Sequence, residues 1–196
     1  MSPHVLKKYG LVVYITYMKK IYLIRHAETE AIRDGVLAGS TYDTLLTDEG
    51  RLQAAEAGKE LARRNIDMIV SSPMLRTRET AIIIANAIGY GDEDILFNEL
   101  FTERSYGSYE GGSFKEFARD YKNIELRSSI ETTQELYDRV NKGLTWIRQL
   151  DAKRILLVSH GSTGRMIVLS SQNKNYDEHK SIKKICTAEV IELTLD

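Results

Sequence analysis

Three short stretches of the chain concentrate residue types that could do chemistry. The first is Leu23-Ile24-Arg25-His26-Ala27-Glu28-Thr29-Glu30, where an arginine and a histidine directly follow an apolar run. A cation beside a core is costly unless something compensates it. An oxyanion would, because a guanidinium presents a planar fork that matches phosphate oxygens, and a neutral imidazole next to it is competent to attack phosphorus. The same residues admit a plainer reading, with His26 packed in a strand-end loop and Arg25 paired to Glu28. The second stretch, Ser71-Ser72-Pro73-Met74-Leu75-Arg76-Thr77-Arg78-Glu79-Thr80, reads as strand, tight turn and helix start. Backbone N–H groups at a helix N-terminus form an anion site, and Arg76 stands in the first turn, where the helix dipole disfavours a cation. A bound anion would compensate it; Arg78 reads as part of a solvated face. The third, Ile155-Leu156-Leu157-Val158-Ser159-His160-Gly161-Ser162, again sets a histidine at the end of an apolar run, followed by a glycine that lets backbone approach a ligand. A lone histidine there would ordinarily be structural. His4 and His179 lie in polar surroundings and read as solvated.

The elements that must position these motifs follow from periodicity. Apolar runs at 21–24, 66–70, 95–97 and 155–158 read as strands, and the alternating Ile191, Leu193 and Leu195 mark a last strand with one solvated face. Helical spacing predicts helices over 48–64, over 75–88 with a stop at Gly89, and around Leu136, Val140, Leu144 and Ile147. The 98–130 stretch, rich in aromatics, glycine and charge, reads as a partly helical excursion. Strands alternating with helices imply an α/β three-layer sandwich: a mainly parallel central sheet, helices on both faces and a small excursion over the active site. In such folds the site lies outside the carboxyl ends of the strands, where all three motifs fall.

Composition narrows the function classes. The 196 residues suit one domain, and the formal net charge of −1 argues against a dedicated nucleic-acid binder. The single cysteine, Cys186, rules out an intramolecular disulfide and thiolate metal clusters; it stands in a strand-like run and reads as packing. No His-x-x-x-His or carboxylate cluster suggests a metal. No stretch is long and apolar enough to span a bilayer, so the expectation is a cytoplasmic protein without membrane partners. Residues 1–17 read as an N-terminal extension or an over-long start, with a signal peptide the lesser alternative, and 18–196 as the domain. The apolar leader could lie on its own domain or on the partner in a homodimer.

Taken together, Arg25-His26-Ala27-Glu28-Thr29, Ser71-Ser72-Pro73 with Arg76, and Val158-Ser159-His160-Gly161 resemble the motifs of the histidine phosphatase superfamily, which contains the phosphoglycerate mutases. The resemblance runs in order along residues 18–195. It implies that His26 is the nucleophile, that Arg25, Arg76 and His160 bind the phosphoryl oxygens, and that Gly39, Tyr106 and Gly161 belong to the substrate-binding pocket. It implies that Glu103, in Glu103-Arg104-Ser105-Tyr106-Gly107, gives the leaving group its proton, the bound phosphate's charge keeping it protonated; without that pattern Glu103 is one acid among 28. Glu110 is the nearest rival and reads as structural, ahead of the Gly111-Gly112 turn. No metal or nucleotide cofactor is implied.

Two positions depart from the family pattern. Ala27 replaces the usual glycine after the histidine, a small change if its φ is negative. Ile32 stands where many members carry an asparagine that binds phosphate. The expected function is a phosphomonoester hydrolase that acts through a phosphohistidine on a small phosphorylated metabolite. The alternatives are a cofactor-dependent phosphoglycerate mutase, which would need 2,3-bisphosphoglycerate as primer, and a non-catalytic phosphate-binding module. Only 57 positions separate Glu103 from His160, and Lys115, Arg119, Lys122 and Arg127 are scattered there among acids. Mutases of the family carry a longer, more basic insertion, which favours the hydrolase.

Overall fold

The structure is a computed structural model that describes residues 18–121 and 129–196 in full and the backbone of 5–8 and 11–14. Strands β1 (Val5–Lys8) and β2 (Leu11–Tyr14) pair antiparallel. The expected roles of the leader concern side chains outside the described residues, as do Lys122 and Arg127 of the excursion.

The main sheet has five strands in the order β5-β4-β6-β3-β7. They are β3 (Lys19–Arg25), β4 (Met68–Ser71), β5 (Leu96–Phe97), β6 (Arg154–Ser159) and β7 (Val190–Leu195). All neighbours run parallel except β7, which lies antiparallel on β3 at the edge. The expected mainly parallel sheet with helices on both faces is the observed architecture. Strand alternation sorts the side chains. Ile21, Leu23, Ile155 and Leu157 face one layer, and Tyr22, Ile24, Leu156 and Val158 face the other. The first layer is α5 (Thr133–Gln149) with α6 (Gly161–Ser171); the second is α2 (Asp48–Leu61) with α3 (Leu75–Ile88). The single turn α1 (Glu30–Arg33) and the excursion helix α4 (Phe114–Asp120) flank the open end.

The structure corrects the sequence reading in four places. The strand expected from 66 begins at Met68, because Asp67 is occupied otherwise: its carboxylate accepts the N–H groups of Lys153 and Arg154 at the start of β6. The helix expected to reach 64 ends at Leu61. Helix α6 carried no periodic signal, since Gly161, Ser162, Thr163 and Gly164 open it and its four consecutive apolar residues Met166–Leu169 are buried. Cys186 lies outside any strand and is exposed, with its N–H donated to Glu189. Among the described residues no helix is long and apolar enough to cross a membrane.

Leu157, fully buried in the central strand, and Leu52, 67% exposed on α2, give a direct test of this layering. Leu157→Ala should cost about 2–5 kcal/mol, whereas Leu52→Ala should stay within about 0.5 kcal/mol in the same chemical denaturation experiment. Similar losses for the two would contradict the packing.

Candidate active site

The strand ends are stitched together by backbone. His26 N–H donates to Ser159 O at 2.9 Å and Ser72 N–H to Val158 O at 3.0 Å, so the turns after β3, β4 and β6 share one rim. His26 and His160 stand edge to face there, their ring centroids 5.4 Å apart.

His26 is 4% exposed and its Nδ1 lies 2.8 Å from the carbonyl oxygen of Ala27. A carbonyl only accepts, so Nδ1 carries the proton and Nε2 holds the lone pair. Burial and the Arg76 and Arg25 cations hold the imidazole well below its ordinary pKa. Both charge and burial disfavour imidazolium, which leaves the neutral base. His160 is wholly buried and lowered in the same way by burial, Arg76, His26 and Arg25. Its Nε2 meets Ser72 Oγ at 2.8 Å.

Arg76 is 1% exposed. Its Nη1 pairs with Asp43 Oδ1 at 2.7 Å, and its Nη2 donates to Gly39 O at 2.7 Å. The compensation that a first-turn cation needs comes, in part, from within the chain. Asp43 Oδ2 also accepts the Leu75 N–H at 2.6 Å and so caps α3, whose own N-cap residue, Met74, provides no side-chain bond. Arg25 donates Nη1 to Ile185 O at 3.0 Å, while Glu28 accepts from Thr47 Oγ1; the alternative Arg25–Glu28 pair is not formed. Arg78 is exposed, as expected, and its guanidinium also stacks over the Phe97 ring at 4.2 Å.

Glu103 occupies the start of α6. Its carboxylate accepts N–H groups from Gly161 at 3.0 Å, Ser162 at 3.1 Å and Thr163 at 3.1 Å. It supplies the cap that His160, the N-cap residue, does not. A Cβ placed on Gly161 would lie 3.5 Å from Arg25 Nε and 3.6 Å from Glu103 Oε2, so the glycine keeps clear the space that these two groups share. Gly39 has φ +68°, and a Cβ there would fall 2.3 Å from Glu110 Cδ. Glu110 is structural: it accepts from Thr41, Tyr42 and Tyr106 backbone N–H groups and ties the 39–43 loop to the excursion. Tyr106 is buried, its hydroxyl 2.7 Å from Ser162 Oγ, and burial with the nearby Glu103 pushes its phenol up. Ala27 is not among the residues of positive φ, and its methyl packs with Leu46 and Ala54, so its replacement of glycine costs nothing. Ile32 lines the cavity with its side chain; its own N–H is taken by Thr29 Oγ1.

Of the eight residues singled out in the sequence, seven border one cavity of about 620 Å³; the eighth, His160, packs its ring on that of His26. Asp43 was not singled out, and Ser72 and Ser162 entered only within the quoted motifs, without a role; each acts through a neighbour far away in sequence. Three buried nitrogens here have no protein partner: Arg25 Nε, Arg76 Nε and His160 Nδ1, the last an N–H donor in the tautomer whose Nε2 accepts from Ser72 Oγ. A buried donor left unpaired costs about 1–3 kcal/mol, and three around one imidazole form a site that an oxyanion would satisfy. Among the described residues no cluster of three potential metal ligands occurs.

Two histidines held neutral by burial make stability depend on pH. The unfolded chain takes up protons below about 6.5, the ordinary value, while His26 and His160 in the folded chain do not. Stability therefore rises with pH through that window and falls in acid, by up to about 1.4 kcal/mol per pH unit for each histidine. Denaturation of wild type and His26→Gln between pH 7.5 and 5 should show a shallower acid loss in the variant. An unchanged slope would contradict the neutral, buried imidazole.

Comparison with known proteins agrees with this geometry. The family model of the histidine phosphatase superfamily (branch 1) matches residues 21–196. The "Uncharacterized phosphatase PhoE" of Bacillus subtilis is 34% identical over 146 residues, covering 74% of this chain and 73% of that protein. The "Probable phosphoglycerate mutase GpmB" of Escherichia coli K12 is 35% identical over 155 residues, covering 74% and 70%. Among solved structures, the alpha-ribazole phosphatase from Shigella flexneri superposes with a TM-score of 0.77 at 19% identity, covering 88% of this chain and 89% of that one, a likeness of fold. On the family match and the relatives, the chain belongs to the histidine phosphatase superfamily.

Proposed function

We propose that this chain hydrolyses small phosphomonoesters through a phosphohistidine on His26. The observation that carries the reading is the set of three unpartnered donors around the free Nε2 of a neutral imidazole. Arg25, Arg76 and His160 bind the phosphoryl oxygens and offset the charge that builds up on them in the transition state. The Nε2 lone pair attacks phosphorus, the ester P–O bond breaks, and the leaving alkoxide takes a proton from Glu103. Water then attacks the phosphohistidine, the P–N bond breaks, and Glu103 recovers its proton from that water. An anion arriving at the start of α6 would compete with Glu103 for the N–H groups that hold it, and would free the carboxyl group to serve the leaving oxygen. Gly39, Tyr106 and Gly161 shape the pocket around the ester.

The hydrolase reading is favoured over the mutase by the short span from Glu103 to His160. Arg119 pairs with its neighbour Asp120, and neither it nor Lys115 lines the cavity. A mutase needs a site closed to water, whereas this cavity is bordered by the exposed Phe114, Lys180 and Lys184. Both names occur among the relatives, so the assay must separate them. Incubation with phosphomonoesters in chelator should release inorganic phosphate without 2,3-bisphosphoglycerate. Isomerisation of 3-phosphoglycerate, dependent on that primer and without phosphate release, would establish the mutase instead. Tight phosphate binding without turnover would establish a binding module.

Rapid acid-free quenching should trap a phosphoenzyme that is labile to acid and absent from His26→Ala; a stable phosphoenzyme in that variant would end the His26 assignment. Glu103→Gln should slow alkyl phosphates by about 10²–10⁴-fold and p-nitrophenyl phosphate far less, since that leaving group hardly needs a proton. Equal losses on both would assign the acid elsewhere.

A further inference from the structure

The cavity over His26 is chemically two-sided. Six cationic side chains border it, Arg25, Arg76, Arg104, Arg165, Lys180 and Lys184, and among the described residues Glu103 is the one carboxylate on its lining. Arg25 and Arg76 belong to the phosphoryl site. Arg165, on α6, donates Nε and Nη2 to the backbone oxygens of Ile182 and His179, which fixes its guanidinium against the 176–184 segment. Lys180 and Lys184 on that segment are exposed, and neither they nor Arg165 pair with a carboxylate among the described residues. A phosphomonoester brings at most about two negative charges, which Arg25, Arg76 and the start of α6 already meet. Arg104 is engaged by the Glu131 carbonyl and the Tyr121 hydroxyl, which leaves Arg165, Lys180 and Lys184.

The opposite wall is apolar. The bridge between Val36 and Ser113 brings the 32–37 segment against α4, so that Ile32, Val36, Phe114 and Tyr121 face the cavity together. Phe114 is 51% exposed despite its size. A large apolar ring left open at the mouth of a polar-floored pocket is the arrangement that ligand contacts cover. Ile32 brings apolar surface to the place where many family members carry a polar donor.

We propose that the substrate is a phosphomonoester with an apolar body and a second anionic group, carboxylate or phosphate, at its far end. The body packs on Ile32, Val36 and Phe114, and the second anion is held by Arg165, Lys180 and Lys184. This rests on the proposed binding of the first phosphate at His26.

Calorimetry on the full chain tests it with non-hydrolysable probes: benzylphosphonate, 4-(carboxymethyl)benzylphosphonate, 1,4-xylylenebisphosphonate and the small dianion 3-phosphonopropionate. Either second anion should tighten binding over benzylphosphonate by about tenfold, and the stronger of the two identifies the anion preferred. In the Lys180→Glu/Lys184→Glu variant that ratio should fall towards one. Phe114→Ser should weaken the benzyl ligands more than 3-phosphonopropionate. Equal affinity for the mono- and di-anionic benzyl probes, or a ratio unchanged by charge reversal, would overturn the proposal. So would 3-phosphonopropionate binding as tightly as the carboxylated benzyl probe. Circular dichroism confirms that each variant is folded. Turnover of benzyl phosphate is measured alongside. No phosphate release with the binding preference intact ends the hydrolase reading alone, whereas release with equal affinities ends this inference alone.

Discussion

The site is organised around a cation that water does not reach. Arg76 is 1% exposed, beside two histidines that burial and like charge keep neutral. An unpaired guanidinium in that position would be prohibitively costly. Asp43 and the Gly39 carbonyl make it tolerable, and the 39–43 loop that carries both is held by Glu110 from the excursion. Removing one partner of such a buried pair typically costs about 3–5 kcal/mol. The loop, the excursion and the start of α3 are therefore coupled through one ion pair. The same cation helps to fix the protonation state of His26 and leaves one N–H, Nε, without a protein partner.

Both helices that start at the site borrow their caps. The first turns of α3 and α6 leave backbone N–H groups exposed, and neither Met74 nor His160 satisfies them with its side chain. Asp43 serves α3 and Glu103 serves α6. The two carboxylates differ in what else they touch. Asp43 is bound to Arg76 and holds it in place. Glu103 sits across the Gly161 space from Arg25, where an anion arriving at the start of α6 competes for its donors. One carboxylate therefore positions a cation, and the other is the group we propose as the proton donor.

The parts of the site that were legible in the sequence are those where chemistry and secondary structure coincide. Arg25, His26 and His160 end apolar runs, and a parallel sheet brings such ends to one rim. Helix α3 was legible to its last residue because Gly89, at φ 73°, marks its stop. Asp43 was not legible: it is one acid in a polar loop, and its partner lies 33 residues away. Helix α6 was missed because its glycine- and serine-rich start is a poor helix former and its stability comes from burying Met166 to Leu169 against the sheet. Arg78 is exposed, as its place in the sequence suggests, and only its stacking on Phe97, from another segment, went unannounced. Contacts between distant segments, rather than local patterns, decided each of these cases.

The central claim is that the protein matrix delivers His26 as a neutral imidazole with its proton on Nδ1 and its lone pair on Nε2. Long-range proton–nitrogen NMR of the histidine side chains reads tautomer and charge together. The account predicts the Nδ1–H tautomer for His26 at pH 7, still neutral at pH 6. An imidazolium at pH 7, or a neutral ring protonated on Nε2, would contradict it.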